Sequence, residues 1–443
     1  MKTLLVPFLA LFSGLGLLML GNALLGTLLG VRAVALGFSI EIIGVVMAAH
    51  YAGFITGALV CVQLIERVGH IRTFAALCAI ASAATLSHIL LEVPLAWGML
   101  RAITGFCFAG LYMVTESWLN DRSENTNRGR ILSTYMIVIL VSSGAGQLFL
   151  LAPNPGGFEL FSIAAIMIAL GLVPVALTTS PAPAPHRANP MALALLFKTS
   201  PLGITGCFAS GLALGSFWSM APVFARMLEF SKASTAIFML LTIFGGLALV
   251  WPIGWLSDRM DRRQAITLLC AAGASTSLAL VLVGVEFSPA LMGLVTLFGG
   301  FTFPLYSISV AHANDFLEPD ELISASSGLL LVYGAGAIIG PIMAGLIMGW
   351  MGAKGLYAMN AGVMGLIVLH AVYRMQMRAT IPNEEQDAVV FIPRTTHVAY
   401  ENDTLIIDSS DWPEAHTSGS PPSDEELCPN LVFEDLKRSG VSG

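Results

Sequence analysis

Apolar residues along this chain gather into twelve long runs separated by short polar segments. The runs lie at about 4–31, 40–65, 73–91, 95–119, 130–151, 158–178, 201–225, 235–257, 264–285, 288–312, 325–349 and 355–375. Each approaches the roughly 20 apolar residues that a helix needs to cross about 30 Å of hydrocarbon. Membrane-spanning strands would instead alternate polar and apolar positions over segments of about 10 residues. Runs that are apolar on every side therefore predict helices, which satisfy their own backbone polar groups within lipid. The first run exceeds the core of a secretory signal and is followed by many like it, so it reads as a retained helix. The expected fold class is an all-α membrane protein of twelve transmembrane helices.

Composition agrees. Of 443 residues, 56% are hydrophobic and only 11% charged, against about 25% charged in soluble domains. The charges are unevenly placed. With the N-terminus inside, thirteen Lys and Arg fall in cytoplasmic segments, and four (Arg32, Arg226, Lys232 and Lys354) fall in outer loops. That bias puts both termini in the cytoplasm. Residues 379–443 hold thirteen acids against Arg394, Lys437 and Arg438, a net of −10; with −7 for the whole chain, the body is left at +3. Few aromatics and many Ser, Pro, Asp and Glu predict a disordered acidic tail. Five cysteines (Cys61, Cys78, Cys107, Cys207 and Cys270) lie in or at the ends of apolar runs, with no CxxC pair. They read as small buried hydrophobes rather than a disulfide framework or a metal site.

The chain repeats itself. Residues 105–121, GFCFAGLYMVTESWLND, match 299–315, GGFTFPLYSISVAHAND, at an offset of 194: Gly105/Gly299, Leu111/Leu305, Tyr112/Tyr306, Asn120/Asn314 and Asp121/Asp315 are identical. The acid–Arg pair Glu66–Arg67 recurs as Asp258–Arg259, and VSSGAG at 141–146 recurs as VYGAG at 332–336. These spacings predict two six-helix pseudo-repeats. An N-terminal bundle covers 1–179, a Pro-rich cytoplasmic linker 180–199, a C-terminal bundle 200–378 and the tail 379–443. Duplicated halves around a midplane site suit a carrier whose halves rock to expose that site alternately.

Several polar residues inside the spans are candidates for function. Arg101 lies about six residues, or roughly 9 Å, inside span four, and a charge at that depth is a functional-site hypothesis by default. The alternative is a side chain that snorkels or clamps a carbonyl. Gly105, Phe108 and Tyr112 share its face. Val295 stands at the repeat position of Arg101. His50, near the middle of span two, is a candidate for proton coupling because the ordinary histidine pKa lies near physiological pH; a neutral packed imidazole is the competing reading. Glu116 is a further proton-coupling candidate, but its place in the last turn of span four favours a role at the cytoplasmic rim. Glu66, Arg67 and Gly69, with Asp258, Arg259 and Arg262 in the other half, form a second rim group. There a carboxylate can bind an arginine or a helix N-terminus and hold an inner gate.

GWLSDRMDRR at 254–263 resembles the loop signature G-x-L-A-D-R-x-G-R-K of the major facilitator superfamily: Gly254, Leu256, Asp258, Arg259 and Arg262 match, and Asp261 replaces the glycine. In the first copy Glu66, Arg67 and Gly69 match, and Val62 replaces the first glycine. RAITG at 101–105 is similar to the family's R-x-x-x-G element, and ESWLNDRS with HAND resembles the YcaD-like branch. The resemblance covers residues 1–378. It implies the twelve-helix major facilitator fold and alternating-access transport in the inner membrane, often driven by protons. It also implies a cavity lined by helices one, five, seven and ten. Asn22, Trp218, Thr302 and Tyr306 are then substrate or cavity residues beside Arg101 and Tyr112, and Gln147 is better read as helix–helix glue. The same resemblance pairs Glu116 with Arg128 at the start of span five, in the cytoplasmic gate. Glycine-rich faces on spans five and eleven would form the interface between halves.

The leading expectation is a monomeric secondary transporter of a small organic solute, coupled to protons, with lipid as its other partner and neither cofactor, metal nor nucleic acid. There is no GxxxxGK[ST] loop for ATP, and no catalytic cluster that would make it an enzyme. The alternative is a non-transporting sensor or scaffold acting through the acidic tail.

Overall fold

The computed structural model describes residues 8–121, 123, 128–151, 158–177, 193–283, 287–318 and 321–377. The expected tail, most of the linker and the side chain of Arg128 lie outside them. Twelve helices are long and apolar enough to cross a membrane. They run Leu9–Ala35, Ile40–Val68, His70–Leu90, Pro94–Asp121, Arg130–Leu151, Glu159–Ala176, Pro201–Met227, Lys232–Ser257, Arg262–Leu282, Pro289–Asn314, Ser324–Met351 and Gly355–Met377, and are numbered here as spans one to twelve. No strand occurs among the described residues.

The ends of the spans have local causes. Span one begins at Leu9 and runs to Ala35, four residues past the expected end. Span two starts on Ser39, whose side chain accepts the Ile42 N–H, a standard helix start. Spans two and three are nearly continuous. Only Gly69 separates them, at φ 86° and ψ 163°, a backbone geometry open to glycine and strained for other residues. In the second half Asp261 takes over that junction without a positive φ: its carboxylate caps span nine by accepting the Arg263 N–H at 2.9 Å. Span ten, expected unbroken, divides into Pro289–Thr302 and Leu305–Asn314, because Pro304 has no N–H to continue the helix. Span six divides at Gly171. A short helix, Leu193–Thr199, precedes span seven.

The internal repeat reappears as packing. In the first half span two packs on four, one on five and six, and three on four and six. In the second, eight packs on ten, seven on eleven and twelve, and nine on ten and twelve. Adding six to each number converts one set into the other, while the second half also packs seven on ten and eleven on twelve without a comparable contact among the described residues of the first. Between the halves, span two meets eleven, five meets eight and one meets seven, a pattern that exchanging the halves leaves unchanged. Span seven is the most enclosed, with 89% of its apolar window buried against 39% for spans six and eight. Large apolar side chains such as Leu90, Trp251, Leu282 and Trp350 stand exposed around the outside, as a lipid-facing belt requires.

Glycines set the closest approaches. A Cβ on Gly105 would collide with the His50 carbonyl, and one on Gly299 with the Thr242 carbonyl. These contacts are equivalent under the repeat, since His50 and Thr242 lie 192 apart and the glycines 194. Gly44 and Gly345 bring spans two and eleven together in the same way near one end of the molecule.

Candidate functional site

A cavity of about 200 Å³ lies between the halves. Its wall takes Met19, Asn22, Ala23, Gly26 and Thr27 from span one, and His50, Tyr51, Phe54, Ile55 and Ala58 from span two. Arg101 and Tyr112 come from span four, and Met136, Ile139, Leu140 and Ser143 from span five. The second half contributes Trp218 from span seven and Leu330, Leu331, Tyr333 and Gly334 from span eleven.

Arg101 is 5% exposed, and its Nε and Nη1 have no hydrogen-bond partner. Guanidinium stays protonated in proteins, so the cavity holds a cation with unused donors. Gly105, Phe108 and Tyr112 share its helical face but fare differently. Gly105 is pressed against the His50 carbonyl. Phe108, fully buried, sits between the His50 ring at 6.5 Å and the Tyr112 ring at 6.2 Å. Only Arg101 and Tyr112 reach the cavity. The Tyr112 hydroxyl points at Met19 Sδ, 2.8 Å away. His50 stands edge-on to Tyr51, centroids 5.5 Å apart, with Nδ1 unpartnered.

Asn22 and Trp218 lie on the wall, whereas Thr302 and Tyr306 do not. The break at Pro304 separates those two, and both are buried behind the wall. Tyr306 packs edge-on to Tyr333, centroids 5.0 Å apart, and it is Tyr333 that faces the cavity. Gln147 is occupied in packing: it accepts from Thr27 Oγ1 at 2.8 Å and donates to the carbonyls of Ser143 and Ala23. Trp218 rests against Phe217 and Phe303.

Glu116 is 2% exposed and lies outside the cavity wall; the Tyr135 hydroxyl of span five donates to its Oε1 at 2.7 Å. Its expected partner Arg128 has no described side chain. Glu66 is half-buried and Arg67 exposed in the last turn of span two. In the second half Asp258 closes span eight. Arg259 lies over the Trp255 ring, 3.9 Å from its centroid, and donates to the Trp255 carbonyl. Arg262 is 1% exposed and pairs with Asp315 at 3.2 Å. Arg263 is held by Asp261 at 2.7 Å. In the first half His70 stands where Arg262 does: its Nε2 is 3.1 Å from Ser117 Oγ, and its ring stacks on Trp118.

Sequence reasoning missed Tyr51, Phe54 and Tyr333 at the cavity and Asp315 at the rim. Two signals were present. Asp315 is the repeat partner of Asp121, and Tyr333 lies in the repeated VYGAG. Tyr51 and Phe54 carry no signal beyond proximity to His50, because an aromatic in an apolar run is ordinarily packing.

Comparison with known proteins gives a consistent picture. The sequence profile of the Major Facilitator Superfamily matches residues 11–308 and 252–401. The MFS-type transporter YcaD of Escherichia coli, uncharacterized, is 29% identical over 374 residues, which are 83% of this chain and 96% of that protein. An uncharacterized MFS-type transporter of Yersinia pestis is 27% identical over 81% of this chain and 93% of its own. Two crystal structures are similar in fold. The nucleoside transporter NupG has a TM-score of 0.68 at 15% identity, covering 84% of this chain and 100% of that one. A bacterial homolog of the human lysosomal transporter Spinster, inward-facing and occupied, has a TM-score of 0.65 at 14% identity, covering 86% and 97%.

Proposed function

The chain belongs to the Major Facilitator Superfamily, and from that premise we propose that it carries a small organic solute by alternating access, with Arg101 at the centre of the binding site. That it is a multi-pass inner-membrane solute transporter follows from the family and its twelve apolar helices. The finer reading rests above all on one observation: a buried cation with unused donors facing a cavity that both halves line. Retaining such a charge costs several kcal/mol, and binding a solute is the use that justifies it.

The glycine contacts support a direction of opening. Gly44 with Gly345, and Gly30 with Pro222, close the halves at the end where spans two and eleven begin and finish near Ile40 and Met351. If both termini are cytoplasmic, that end is the outer one, which supports a cavity that opens inward. Rocking about spans one, two, five, seven, eight and eleven would reverse it. His50, one helical surface away from Arg101 at the cavity, is the group suited to carry a coupling proton; Glu116 lies outside the cavity and belongs with the inner rim. Glu66, Asp258 and the Arg262–Asp315 pair would fasten that rim when it closes.

Purified protein in liposomes, given a solute panel under an imposed pH gradient, tests the reading. Arg101→Ala is expected to abolish uptake while leaving membrane insertion and the size-exclusion profile intact. Full uptake by that variant would remove Arg101 from the mechanism.

A further inference from the structure

We propose that the solute is a small organic monoanion with an aromatic or similarly apolar body, its carboxylate seated on Arg101. This rests on the transport reading and narrows its substrate class.

Charge comes first. Arg101 lines the cavity, and among the described residues no Asp or Glu does and none forms an ion pair with Arg101. The nearest acid along its helix beyond Tyr112 is Glu116, which lies outside the wall and accepts from Tyr135. The counter-charge is therefore left to the ligand. An anion drawn to the guanidinium in the cavity gains charge-assisted hydrogen bonds, which are about twice as strong as neutral ones. A cation would be repelled and would find no carboxylate. A neutral polyol or nucleoside would leave the guanidinium uncompensated. A second negative charge on the solute would meet a second cation only while His50 carries its proton, so a dianion such as phthalate should bind more weakly than benzoate at neutral pH.

The wall decides the rest of the ligand. Tyr51, Phe54, Tyr112, Trp218 and Tyr333 line the wall, and aromatic groups pack on one another with a gain of about 0.5–1.5 kcal/mol beyond area burial. The volume, about 200 Å³, falls below the roughly 300–1,000 Å³ typical of pockets for drug-sized molecules. A single ring bearing one carboxylate suits that space, and a bulky hydrophobic drug does not.

The test measures binding before transport. Full-length protein in detergent would be titrated with benzoate and phenylacetate, and in parallel with benzamide (the neutral isostere), phthalate (a dianion), benzylamine (a cation) and uridine (a nucleoside). The readout is thermal stabilisation or calorimetry. Benzoate or phenylacetate is expected to bind at least tenfold more tightly than benzamide, about 1.4 kcal/mol, with no binding of benzylamine. Arg101→Gln should erase that preference and Arg101→Lys should keep part of it. The carboxylate–amide comparison is made on the unaltered chain, so it survives if a variant misfolds. Equal binding of benzamide, preferential binding of benzylamine or uridine, or no binding of either carboxylate at 10-fold above a conventional millimolar KM range would overturn the proposal. Uptake of the bound carboxylate into liposomes then tests transport separately. Binding without uptake would leave the ligand class standing and defeat the carrier reading. Uptake of an uncharged solute alone would do the reverse.

Discussion

A single residue can be nearly invisible in one position and costly in another, as the glycines of span four illustrate. Gly98 has nothing within 4 Å of an added Cβ, whereas Gly105 has the backbone of His50 in its way. The same substitution should therefore have opposite signs on one helix. Gly105→Ala is expected to lower stability by about 1–3 kcal/mol through overpacking, because a carbonyl cannot swing aside as a flexible side chain can. Gly98→Ala should be neutral or slightly stabilising, since alanine is the better helix former. Thermal unfolding of the two variants in detergent measures both; equal Tm values would show that the span two–span four contact is loose. The Gly105 contact also holds His50 and Arg101 on adjoining helices at the cavity, so its loss should weaken solute binding as well.

Individual helices are joined at their ends by charges that are cheap only as pairs. Arg262 and Asp315 tie the start of span nine to the end of span ten with side chains 1% and 3% exposed. Removing one partner of such a pair typically costs about 3–5 kcal/mol, whereas replacing both by apolar groups is often neutral. Asp315→Asn is expected to destabilise by about that amount. The double variant Arg262→Met with Asp315→Leu should recover most of the stability. Uptake by the double variant separates two roles: if stability returns and turnover does not, the pair works in the cycle at the rim. Recovery of both would make it purely structural. At the matching junction in the first half, His70 stands 3.1 Å from Ser117 Oγ and stacks on Trp118.

For the molecule as a whole, motion and connection are at issue. Spans two and eleven touch through Gly44 and Gly345, where each glycine's missing Cβ would meet the other's backbone. Gly345→Leu is expected to hold that end apart and abolish uptake with insertion unchanged. In the proposed orientation it should also admit an impermeant maleimide from outside to a cysteine placed at Tyr51; protection of that cysteine would refute closure at this contact. Deleting residues 379–443 should leave uptake unaltered, because the twelfth span ends at Met377, before the deletion. Loss of function on deletion, with the spans still inserted, would instead support a sensor or scaffold working through the acidic tail.

Twelve apolar runs, their near-duplication and the deep arginine were legible from the chain alone, because lipid demands a length and an apolarity that composition cannot hide. The 194-residue offset foretold which glycines would be equivalent, and the structure repeats the His50–Gly105 contact as Thr242–Gly299. The cavity wall was only partly legible. Asn22, His50, Arg101, Tyr112 and Trp218 stood out as polar or amphipathic groups in apolar surroundings. Tyr51, Phe54 and Tyr333 did not, because an aromatic facing a cavity and one facing a neighbouring helix have the same chemistry in sequence. Thr302 and Tyr306 lie buried behind the wall, a side-chain placement that only packing could settle. What the sequence determined was the solvent of each helix and the cost of each charge. What tertiary structure alone decided was which of those groups share a space, since that depends on helix rotation and close approach between segments more than a hundred residues apart.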